Sequence, residues 1–517
     1  MSQVKDRTRV ILEEWRMLKN ERANLDALVE KYERYTLKGD TNLNADIYDN
    51  SALNFEINAT LGFQAYLWDR SKSPTYTHKN KDLAEKDEIK EYYEQVSKIM
   101  AEKVFNNPET GFGDMFHGLI RDWRSLGTAF AIITETEEKP IMTFSADFKK
   151  CYFDTDDTGF VQSFYYEIED RVFSAKDQNW EQVALLTKFW RESGRWSSIT
   201  IDLRNQEFVE GSELEYNECP IFVARSNIRS AEKYGLGNGV MAVRDIEHIN
   251  TVKKLIMLSV ETNANPPMGY NAGLASNDYI NLSAGGVNVF NNMYSYGGQS
   301  NAPVIPLMPM KEISEQVAFY QILISNLKDC YQFDKLLDLN PTSGVSMTAS
   351  EVMARNSERA TLFSGDATKI YASTMDAMQK SFLSKAFRRG WLGVTERTLE
   401  MSGISAEDLN GALVVPAELD TVEKFLDVTV SYHSAATEAD YSTKLQNISQ
   451  TFQFIAGVEA QVAQLPSLAE AIDLPAMKES FAKYSGASDL IKTLGADGEA
   501  MQMLQRTLMG GALTGGQ

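Results

Sequence analysis

The sequence predicts an α+β protein that is predominantly helical, and three observations support this prediction. Through long charged segments, apolar residues recur every three or four positions, which is the spacing of one face of a helix. Between residues 129 and 225 the pattern changes to short apolar or alternating runs separated by turn-forming residues, which is typical of strands. The length of 517 residues suits more than one compact unit.

Composition and charge narrow the class of protein. The chain is 43% hydrophobic and 24% charged, as in folded proteins, and its formal net charge of −21 argues against a tight nucleic-acid binder. No stretch approaches about 20 uncharged apolar residues, and the N-terminus MSQVKDRTRV lacks the apolar core of a signal peptide, so we expect no membrane segment. The three cysteines are far apart and fit a reducing compartment, so we expect synthesis in the cytoplasm.

The region before the predicted strands is expected to be mainly helical. Its apolar residues, from Val10 to Tyr32 in the first helix, recur at helical spacing among charged residues. The predicted elements are an amphipathic helix over 4–35, a loop over 39–51, helices through Trp68, a polar link over 74–87, and helices over 88–105 and 112–126.

The strand-like region contains six runs, namely AFAIIT, PIMTFS, QSFYYEIE, VALLTKFWRE, SITIDL and CPIFVAR. Turn-forming segments separate them, including DTDDTG at 154–159. This acidic segment could hold calcium, but it lacks the spacing and the final glutamate of an EF-hand loop. A solvated hairpin turn is therefore the favoured interpretation.

Two long helices are predicted in the middle of the chain. The first covers 238–265, with Asn238 as its N-cap and an Asn-Pro-Pro sequence at its end. The second covers 312–337 and repeats apolar residues in alternating steps of four and three. The apolar faces consist of Val240, Val243, Ile246, Ile249, Val252 and Ile256 in the first helix, and of Ile313, Val317, Tyr320, Ile324, Leu327 and Tyr331 in the second. The segment between them, 266–311, is rich in Gly, Asn, Ser, Tyr and Pro and reads as loops with short strands.

The C-terminal third is again predicted to be mostly helical. Thr348 and Glu351 form a capping box, and the small, flexible residues within Phe363–Asp366 are expected to bend the helix that it opens. The predicted segments are a loop over 338–348, a long helix over 349–392, a connection with a β segment over 393–434, a helical region over 435–509 and a flexible tail over 510–517.

No catalytic or metal site is predicted. The glycines at 235, 237 and 239 superficially resemble a dinucleotide loop, but their spacing is GxGxG and the preceding residues are too polar for a buried strand, so turn-forming glycines are favoured. The four histidines are scattered, and no HExxH sequence, histidine–cysteine cluster or GxxxxGK[ST] sequence occurs. We therefore expect a protein that is not an enzyme and needs no cofactor.

Four sequence blocks, in order along the chain, carry a family resemblance. They are Ile47–Tyr76, Glu91–Glu135, Glu218–Val240 and Val345–Ala360, the last of which reads VSMTASEVMARNSERA. With their connections they cover most of the chain up to about Leu392. They resemble the portal (head-to-tail connector) proteins of short-tailed (podovirus-type) phages. Several blocks in one order argue against chance similarity.

The resemblance implies the portal fold, with wing, stem, clip and crown, in a cyclic ring of twelve copies around a central channel. It places the wing at 1–237 and 349–392, the stem helices at 238–265 and 312–337, the clip at 266–311, the tunnel loop at 338–348, the wing–crown connection at 393–434 and the crown at 435–509. The family's ring occupies one capsid vertex of the virion and passes double-stranded DNA during packaging and ejection. The implied partners are further copies of the chain, double-stranded DNA bound without sequence preference, the major capsid protein, the scaffolding protein, the terminase large subunit and tail adaptor or nozzle proteins, with no membrane.

The resemblance also selects candidate site residues. The channel-facing tunnel loop would consist of Leu339, Asn340, Pro341, Thr342, Ser343, Gly344, Val345, Ser346 and Met347. The clip docking surface would include Asn288, Phe290, Asn291, Asn292, Tyr294 and Tyr296. Lys335, close to the loop, is the candidate DNA contact. The stem cations Arg244, Lys253, Lys254 and Lys328 are expected to pair with carboxylates between subunits in preference to DNA.

Two other classes stay open. A non-channel structural protein of the tail or the virion interior would lack a pair of long helices around a clip. A DNA-processing hydrolase would need a cluster of acidic metal ligands, which the sequence alone does not assemble.

Overall fold

A computed structural model describes most of the chain up to Tyr432. The described residues are 2–36, 46–68, 73–135, 141–174, 179–192, 194–229, 232–271, 281, 283, 285–290, 304–306, 312–333, 363–395 and 413–432. They belong to two compact units. The first unit comprises Met1–Ala65, Ser73–Thr342 and Thr368–Ser431, and the second comprises Tyr66–Lys72, Ser343–Ala367 and Tyr432–Gln517.

The helices agree closely with the helical periodicity of the sequence. The labelled helices are α1 (Ser2–Tyr35), α2 (Ser51–Leu67), α3 (Lys81–Ala84), α4 (Asp87–Met100), α5 (Phe112–Ser125), α6 (Asn238–Met241), α7 (Val243–Ala264) and α8 (Ser314–Tyr331). The remaining helical segments are the π-helices Ala101–Phe105 and Tyr371–Met375, the 3₁₀-helices Pro108–Thr110, Phe148–Lys150 and Ala417–Leu419, and the α-helices 363–370, Asp376–Arg388 and Val422–Phe425.

The described strands form five sheets. They are β1 (Thr75–His78), β2 (Thr128–Thr134), β3 (Met142–Ala146), β4 (Cys151–Thr155), β5 (Val161–Ser174), β6 (Asn179–Glu192), β7 (Arg195–Asp202), β8 (Glu207–Phe208), β9 (Leu214–Tyr216), β10 (Ile221–Arg225), β11 (Met268–Asn271), β12 (Val287–Phe290), β13 (Val304–Pro306), β14 (Val394–Thr395), β15 (Val414–Val415) and β16 (Val428–Ser431). The sheet orders are β4-β5-β6-β7-β8 with β9 also on β7, β10-β2-β3, β12-β11-β13, β1-β16 and β14-β15. The mixed α+β fold is thus confirmed.

The six predicted strand runs correspond to β2, β3, β5, β6, β7 and β10. Strand β4 was not predicted, because only Cys151, Tyr152 and Phe153 are apolar there and the run is too short to show a period. The structure nevertheless pairs β4 with β5, from Cys151 opposite Tyr166 to Thr155 opposite Val161. The pairing places β4 at the edge of the largest sheet.

Helix α1 lies against this sheet through the face that its apolar spacing predicts. Ile11, Leu12 and Leu18 pack with Leu186 of β6 and Ile201 of β7 in one buried cluster. Burial of these side chains stabilises both elements, since a long amphipathic helix gains most of its stability from packing of its apolar face.

Arg22 attaches the middle of α1 to the edge of the same sheet. The centre of its guanidinium lies 3.9 Å from the ring centroid of Tyr152 and 4.4 Å from that of Phe148. It donates hydrogen bonds to the carbonyl oxygens of Cys151 and Lys149, and its Nε lies 2.7 Å from the carboxylate of Asp26. A carboxylate, two carbonyls and two aromatic faces therefore compensate this buried charge.

The acidic segment between β4 and β5 is the predicted solvated hairpin turn. The carboxylate of Asp156 accepts hydrogen bonds from the backbone N–H groups of Thr158 and Phe160, and Gly159 has a φ of 86°. The hydrogen bond from the Thr158 hydroxyl holds the pKa of Asp156 below its ordinary value. The turn is closed by protein hydrogen bonds, and Arg225 donates to the Gly159 carbonyl from outside it.

Three glycines allow two backbone segments to approach closely at the entry to α6. A Cβ at Gly235 would overlap the carbonyl oxygen of Ser226, and one at Gly237 would overlap the backbone of Ser125 and Gly127. Gly127 has a φ of +95°, whereas Gly235 and Gly237 are not among the residues with positive φ. Gly235 and Gly237 are therefore required for close packing, which corrects the turn conformation predicted for them. Both are buried, so the segment is not an open phosphate loop.

The predicted first long helix is interrupted once. Ala242, with φ −84° and ψ −2°, separates α6 from α7, and the helix begins after the extended residue Gly237 instead of at an Asn238 cap. The reason is a tertiary contact, because the extended residue Gly237 packs against the Gly127 backbone and the first helical turn starts directly after it. The end of the helix agrees with the prediction, since α7 stops at Ala264, just before Asn265-Pro266-Pro267.

The later helices differ from prediction in one respect. Helix α8 ends where Gln332 adopts the left-handed conformation (φ 54°). The residues predicted to bend the long helix, Phe363–Asp366, lie in a regular α-helix, and the irregularity is the π-helix Tyr371–Met375. Within it the Thr374 hydroxyl donates to the carbonyl of Val223, a tertiary contact that the sequence does not reveal. The predicted capping box lies outside the described residues.

In the second unit, two aromatic contacts are described. The rings of Tyr66 and Phe363 are 5.7 Å apart between centroids, and those of Trp68 and Tyr432 are 6.2 Å apart. Both distances lie in the favourable range for aromatic pairs. These pairs join segments that are almost 300 or more residues apart in sequence.

We predict that Gly235→Ala destabilises the first unit. The added methyl group has no space against the Ser226 carbonyl, and such overpacking costs about 1–3 kcal/mol. Urea unfolding followed by circular dichroism measures the effect. The matched control is Gly365→Ala, where an added Cβ meets no atom within 4 Å and helix propensity favours alanine by about 1 kcal/mol. An equal loss in both variants would contradict the close-packing role.

Candidate functional site

The helix pair α7 and α8 is the candidate functional site. Two contacts fix its direction, because Lys253 Nζ lies 4.7 Å from the ring centroid of Tyr320 and Cys330 Sγ lies 3.5 Å from the carbonyl oxygen of Asn238. As the residue number rises in α7 it falls at the matching level of α8, so the helices are antiparallel.

The base of the pair is the end formed by the start of α7 and the end of α8. There the predicted apolar faces contact the rest of the protein. Val243, Ile246 and Ile249 of α7 are buried, as are Leu327 and Tyr331 of α8. Towards the other end the same faces become half-buried, and Val317 is exposed. The base of the pair is therefore covered by other elements, whereas its far half is covered mainly by its own partner helix.

At the base, the hydroxyl groups of Tyr32 and Tyr331 form a hydrogen bond of 2.8 Å. Both rings are buried, and burial raises the pKa of each phenol well above its ordinary value, so both stay protonated. This bond joins the last turn of α1 to the last turn of α8. Gly239 lies against the Tyr32 ring, where any Cβ would overlap the aromatic carbons.

Arg124 of α5 completes this base. Its guanidinium donates to the Tyr331 carbonyl at 3.2 Å and lies 4.6 Å from the ring centroid of Phe63. Carbonyls in the last turn of a helix have no partner within the helix, so an arginine there both fills a hydrogen bond and neutralises the negative helix end. Just after the end of α8, Phe333 packs edge-on to Phe55, with 4.9 Å between the ring centroids.

Halfway along α7, Asn250 attaches the segment that precedes α2. Its side-chain oxygen accepts hydrogen bonds from the backbone N–H groups of Tyr48 (2.7 Å) and Asp49 (3.2 Å), and its side-chain nitrogen donates to the Asp46 carbonyl (2.9 Å). One buried amide thus meets the hydrogen-bonding needs of three backbone groups that belong to no helix or strand.

Asp49 connects this segment to the second helix of the pair. Its carboxylate accepts a 2.5 Å hydrogen bond from the Tyr320 hydroxyl and a 2.8 Å bond from the backbone N–H of Ser51, at the start of α2. Burial, together with the hydrogen bond to Asp49, raises the pKa of Tyr320 to about 12. The segment before α2 therefore holds both α7 and α8.

Beyond these contacts, the pair exposes large apolar side chains to solvent. They are Leu255, Met257, Leu258 and Val260 of α7 and Val317, Phe319 and Ile322 of α8. Phe319 is 49% exposed and Ile322 57% exposed. An exposed apolar group of this size on one helix pair indicates a surface for protein contact.

The structure places each of the predicted stem cations differently. Arg244 is exposed, Lys253 lies over Tyr320, and Lys254 lies over Tyr48 with Nζ 5.2 Å from the ring centroid. Lys328 lies 6.0 Å from the Phe333 ring. Within the described part of the chain, no ion pair joins any of these four cations to a carboxylate.

Most other predicted site residues lie outside the described residues. Of the docking surface, Asn288 and Phe290 belong to β12, which runs parallel to β11, while β13 pairs with β11 on the other side. Asn291, Asn292, Tyr294, Tyr296, Lys335 and the loop from Leu339 to Met347 are not described.

Sequence reasoning missed the residues that attach the pair to the rest of the protein, above all Tyr32, Arg124 and Asn250. Asn250 gave one usable signal, because it is a polar residue directly after Ile249 on the side of α7 that is otherwise buried and apolar. Tyr32 was placed on the apolar face of its helix, but its partner is almost 300 residues away. Such distant pairs leave no local pattern in one sequence.

Among the described residues, no group of three or more His, Cys, Asp or Glu side chains is arranged to hold a metal ion. Within the same ranges, no helix combines the length and the apolar character needed to cross a membrane.

Comparisons with known proteins add a family assignment. A family model described as "Bacteriophage head to tail connecting protein" matches residues 9–491. A solved structure titled "Virion of native gene transfer agent (GTA) particle" contains a similar chain, with 11% sequence identity, 71% of this chain and 81% of that chain covered, and a TM-score of 0.31. That score is too low to support a conclusion about the fold. No curated protein is similar enough in sequence to match.

We predict that Asn250→Leu destabilises the protein and frees the segment before α2. The change leaves the N–H groups of Tyr48 and Asp49 without their acceptor, and unsatisfied buried donors cost about 1–3 kcal/mol each. Hydrogen exchange should show faster exchange at these two amides, along with a lower midpoint of urea unfolding. Asn54→Leu on the exposed surface of α2 is the control, and unchanged exchange at Asp49 in the Asn250 variant would contradict the prediction.

Proposed function

Because the chain belongs to the family of bacteriophage head-to-tail connecting proteins, we propose that it is a portal protein of a short-tailed phage. In this proposal twelve copies form a closed ring at one capsid vertex of the virion. Double-stranded DNA passes through the ring during packaging and again during ejection. The membership itself supports a role between head and tail of a phage particle, and the ring and the channel are the proposed refinement.

The observation that carries the proposal is the helix pair α7 and α8. It is held at its base by directional hydrogen bonds, and its far half exposes large apolar side chains on more than one side. A single copy leaves those side chains in water, whereas a ring of copies covers them from both sides. This is the arrangement expected of a channel wall built from one helix pair per copy.

The negative net charge of the chain supports a channel through which DNA slides, in preference to a protein that binds DNA tightly. Every copy in a ring contributes a net charge of −21. Tight DNA binding comes largely from lysine and arginine side chains that release the counterions of DNA. An acidic ring with few free cations would therefore let the duplex slide. This proposal places Lys335, next to the tunnel loop, as the candidate DNA contact.

The partners are proposed on the same basis. The segment between α7 and α8, including Asn288 and Phe290, would be the clip that binds the terminase large subunit and later the tail adaptor or nozzle proteins. The body would contact the major capsid protein and the scaffolding protein during assembly in the host cytoplasm. We further propose that the chain catalyses no reaction, so that the work of packaging comes from the terminase.

Electron microscopy and native mass spectrometry of the purified protein test the ring. We expect rings with a central hole and masses near twelve times the 58.0 kDa of one chain. Stable monomers or dimers at high protein concentration would overturn the proposal and favour a non-channel structural protein. Metal-dependent cleavage of DNA, lost when a carboxylate pair is mutated, would instead indicate a hydrolase.

The tunnel loop gives a second test of the proposed function. Deleting residues 340–344 is expected to leave ring formation intact and to impair DNA packaging or retention, because the loop would contact DNA and not neighbouring copies. Packaged DNA is measured as nuclease-resistant DNA per particle in a complemented phage. A deletion variant that no longer forms rings would show that the loop is structural.

A further inference from the structure

Helix α7 carries an exposed stripe on the side away from α8. Its members recur at steps of four and three residues and are Arg244, His248, Thr251, Leu255 and Leu258, all exposed. At about 100° per residue they fall on one face of the helix, roughly opposite the half-buried Ile256 and Lys253 that face α8. Leu255 is 53% exposed and Leu258 47% exposed, so the apolar part of this outer stripe of α7 has no cover within the described residues.

Helix α8 carries a matching stripe. Its members are Glu315, Phe319, Ile322, Asn326 and Asp329, again at steps of four and three and again all exposed. The face that packs inside the chain contains Tyr320, Leu327 and Tyr331, and the outer stripe of α8 lies about 140° from it around the helix axis. The pair therefore has two outer faces, one on each helix. The apolar side chains are Leu255 and Leu258 at the far end of the α7 stripe and Phe319 and Ile322 near the middle of the α8 stripe.

The two outer stripes match in level along the pair. Lys253 contacts Tyr320, and the two helices are antiparallel. A residue a given number of positions before Lys253 therefore lies at the same height along the pair as the residue the same number of positions after Tyr320. Leu255 is then level with Phe319 to within one residue, and Thr251 is level with Ile322. Counted from this contact, Arg244 is level with Asp329, nine positions away on each helix, and counted from the contact of Cys330 with the Asn238 carbonyl it is level with Ile324. Arg244 therefore lies within about five residues of the level of Asp329, roughly 7.5 Å along the helix, which a long arginine side chain can span.

The charges of the stripes are also complementary. Arg244 is the cation of the outer stripe of α7, whereas Glu315 and Asp329 are the charged residues of the outer stripe of α8. Neither Arg244 nor Asp329 forms an ion pair within the described residues of its own chain. Two copies placed side by side would bring Arg244 of one to Asp329 of the other, beside an apolar contact of Leu255 with Phe319.

We propose that the outer stripe of α7 in one copy packs against the outer stripe of α8 in the next copy. This inference rests on the proposed ring and names the residues of its helical wall. The two faces differ, so each copy uses one face for each neighbour and the contact is head to tail. Rotation about a ring axis keeps all copies at the same height along that axis. Residues of α7 and α8 that lie at the same height within one chain therefore also lie at the same height in neighbouring copies.

Disulfide trapping tests the contact directly. The double variant Leu255→Cys/Phe319→Cys, mildly oxidised, is expected to give a ladder of covalent oligomers on a non-reducing gel. Each single variant should give no ladder, and the parent protein sets the background from Cys151, Cys219 and Cys330, of which the first is buried and the others are half-buried. A dimer band from Leu255→Cys alone would indicate a symmetric contact between two α7 helices and overturn the proposal.

A charge exchange provides a test that does not depend on oxidation. Arg244→Asp and Asp329→Arg should each lower the fraction of protein in rings as salt is reduced, because like charges then face each other between copies. The double variant Arg244→Asp/Asp329→Arg should restore rings, and all these sites are exposed, so the fold is expected to persist. Rings that form normally in both single variants, without a disulfide ladder, would overturn this contact and leave the portal function standing. Absence of rings in the parent protein would overturn the portal function itself.

Discussion

The hydrogen bond between the hydroxyls of Tyr32 and Tyr331 is the interaction on which the rest of the arrangement depends. It joins the end of α1, which is packed along the largest sheet, to the end of α8. Both phenols are buried, so a lost partner could not be replaced by bulk water and the full desolvation penalty would remain. Arg124 covers the adjoining helix end, and a glycine at 239 leaves space for the Tyr32 ring. Four helices, α1, α5, α6 and α8, thus meet at one point.

The contacts of the helix pair change in kind along its length. Near the base they are hydrogen bonds with a required direction, from Tyr32, Arg124 and Asn250. At the level of Tyr320 the hydrogen bond from its hydroxyl to Asp49 is a further directional contact, and around and beyond this level large apolar side chains stay exposed. Hydrogen bonds fix the orientation of the helix pair, because their geometry is directional. The exposed apolar surface provides the hydrophobic driving force for association with another chain. A surface whose orientation is fixed before association loses less conformational entropy when it binds its partner.

The sequence predicted the elements well and the contacts between distant elements poorly. Helical spacing located α1, α4, α5, α7 and α8, and it identified the buried faces of Val243 to Ile249 and of Leu327 and Tyr331. It missed β4, whose apolar run is only three residues long, and it placed the irregularity of the long helix at Phe363–Asp366 instead of Tyr371–Met375. The glycines before α6 were recognised as structural, but their reason, the approach of Ser226 and Gly127, lies in tertiary contacts. A single sequence carries periodicity, which is local, and no record of which residues meet across hundreds of positions.

Three of the four stem cations contact aromatic rings of their own chain, which in the proposed ring would leave little positive charge available to DNA. Lys253 and Lys254 each lie over a tyrosine ring of their own chain, and Lys328 lies near Phe333. A lysine over an aromatic face keeps its charge while its position is fixed by the ring, so it is less available to a passing phosphate. Arg244 is different, because it is exposed on the side away from α8. Among the described residues no carboxylate pairs with its guanidinium, which in the proposed ring would suit a carboxylate of a neighbouring copy, since a planar fork binds a carboxylate through two parallel hydrogen bonds. Within the proposed ring, this distribution of cations would favour contact between copies over retention of DNA.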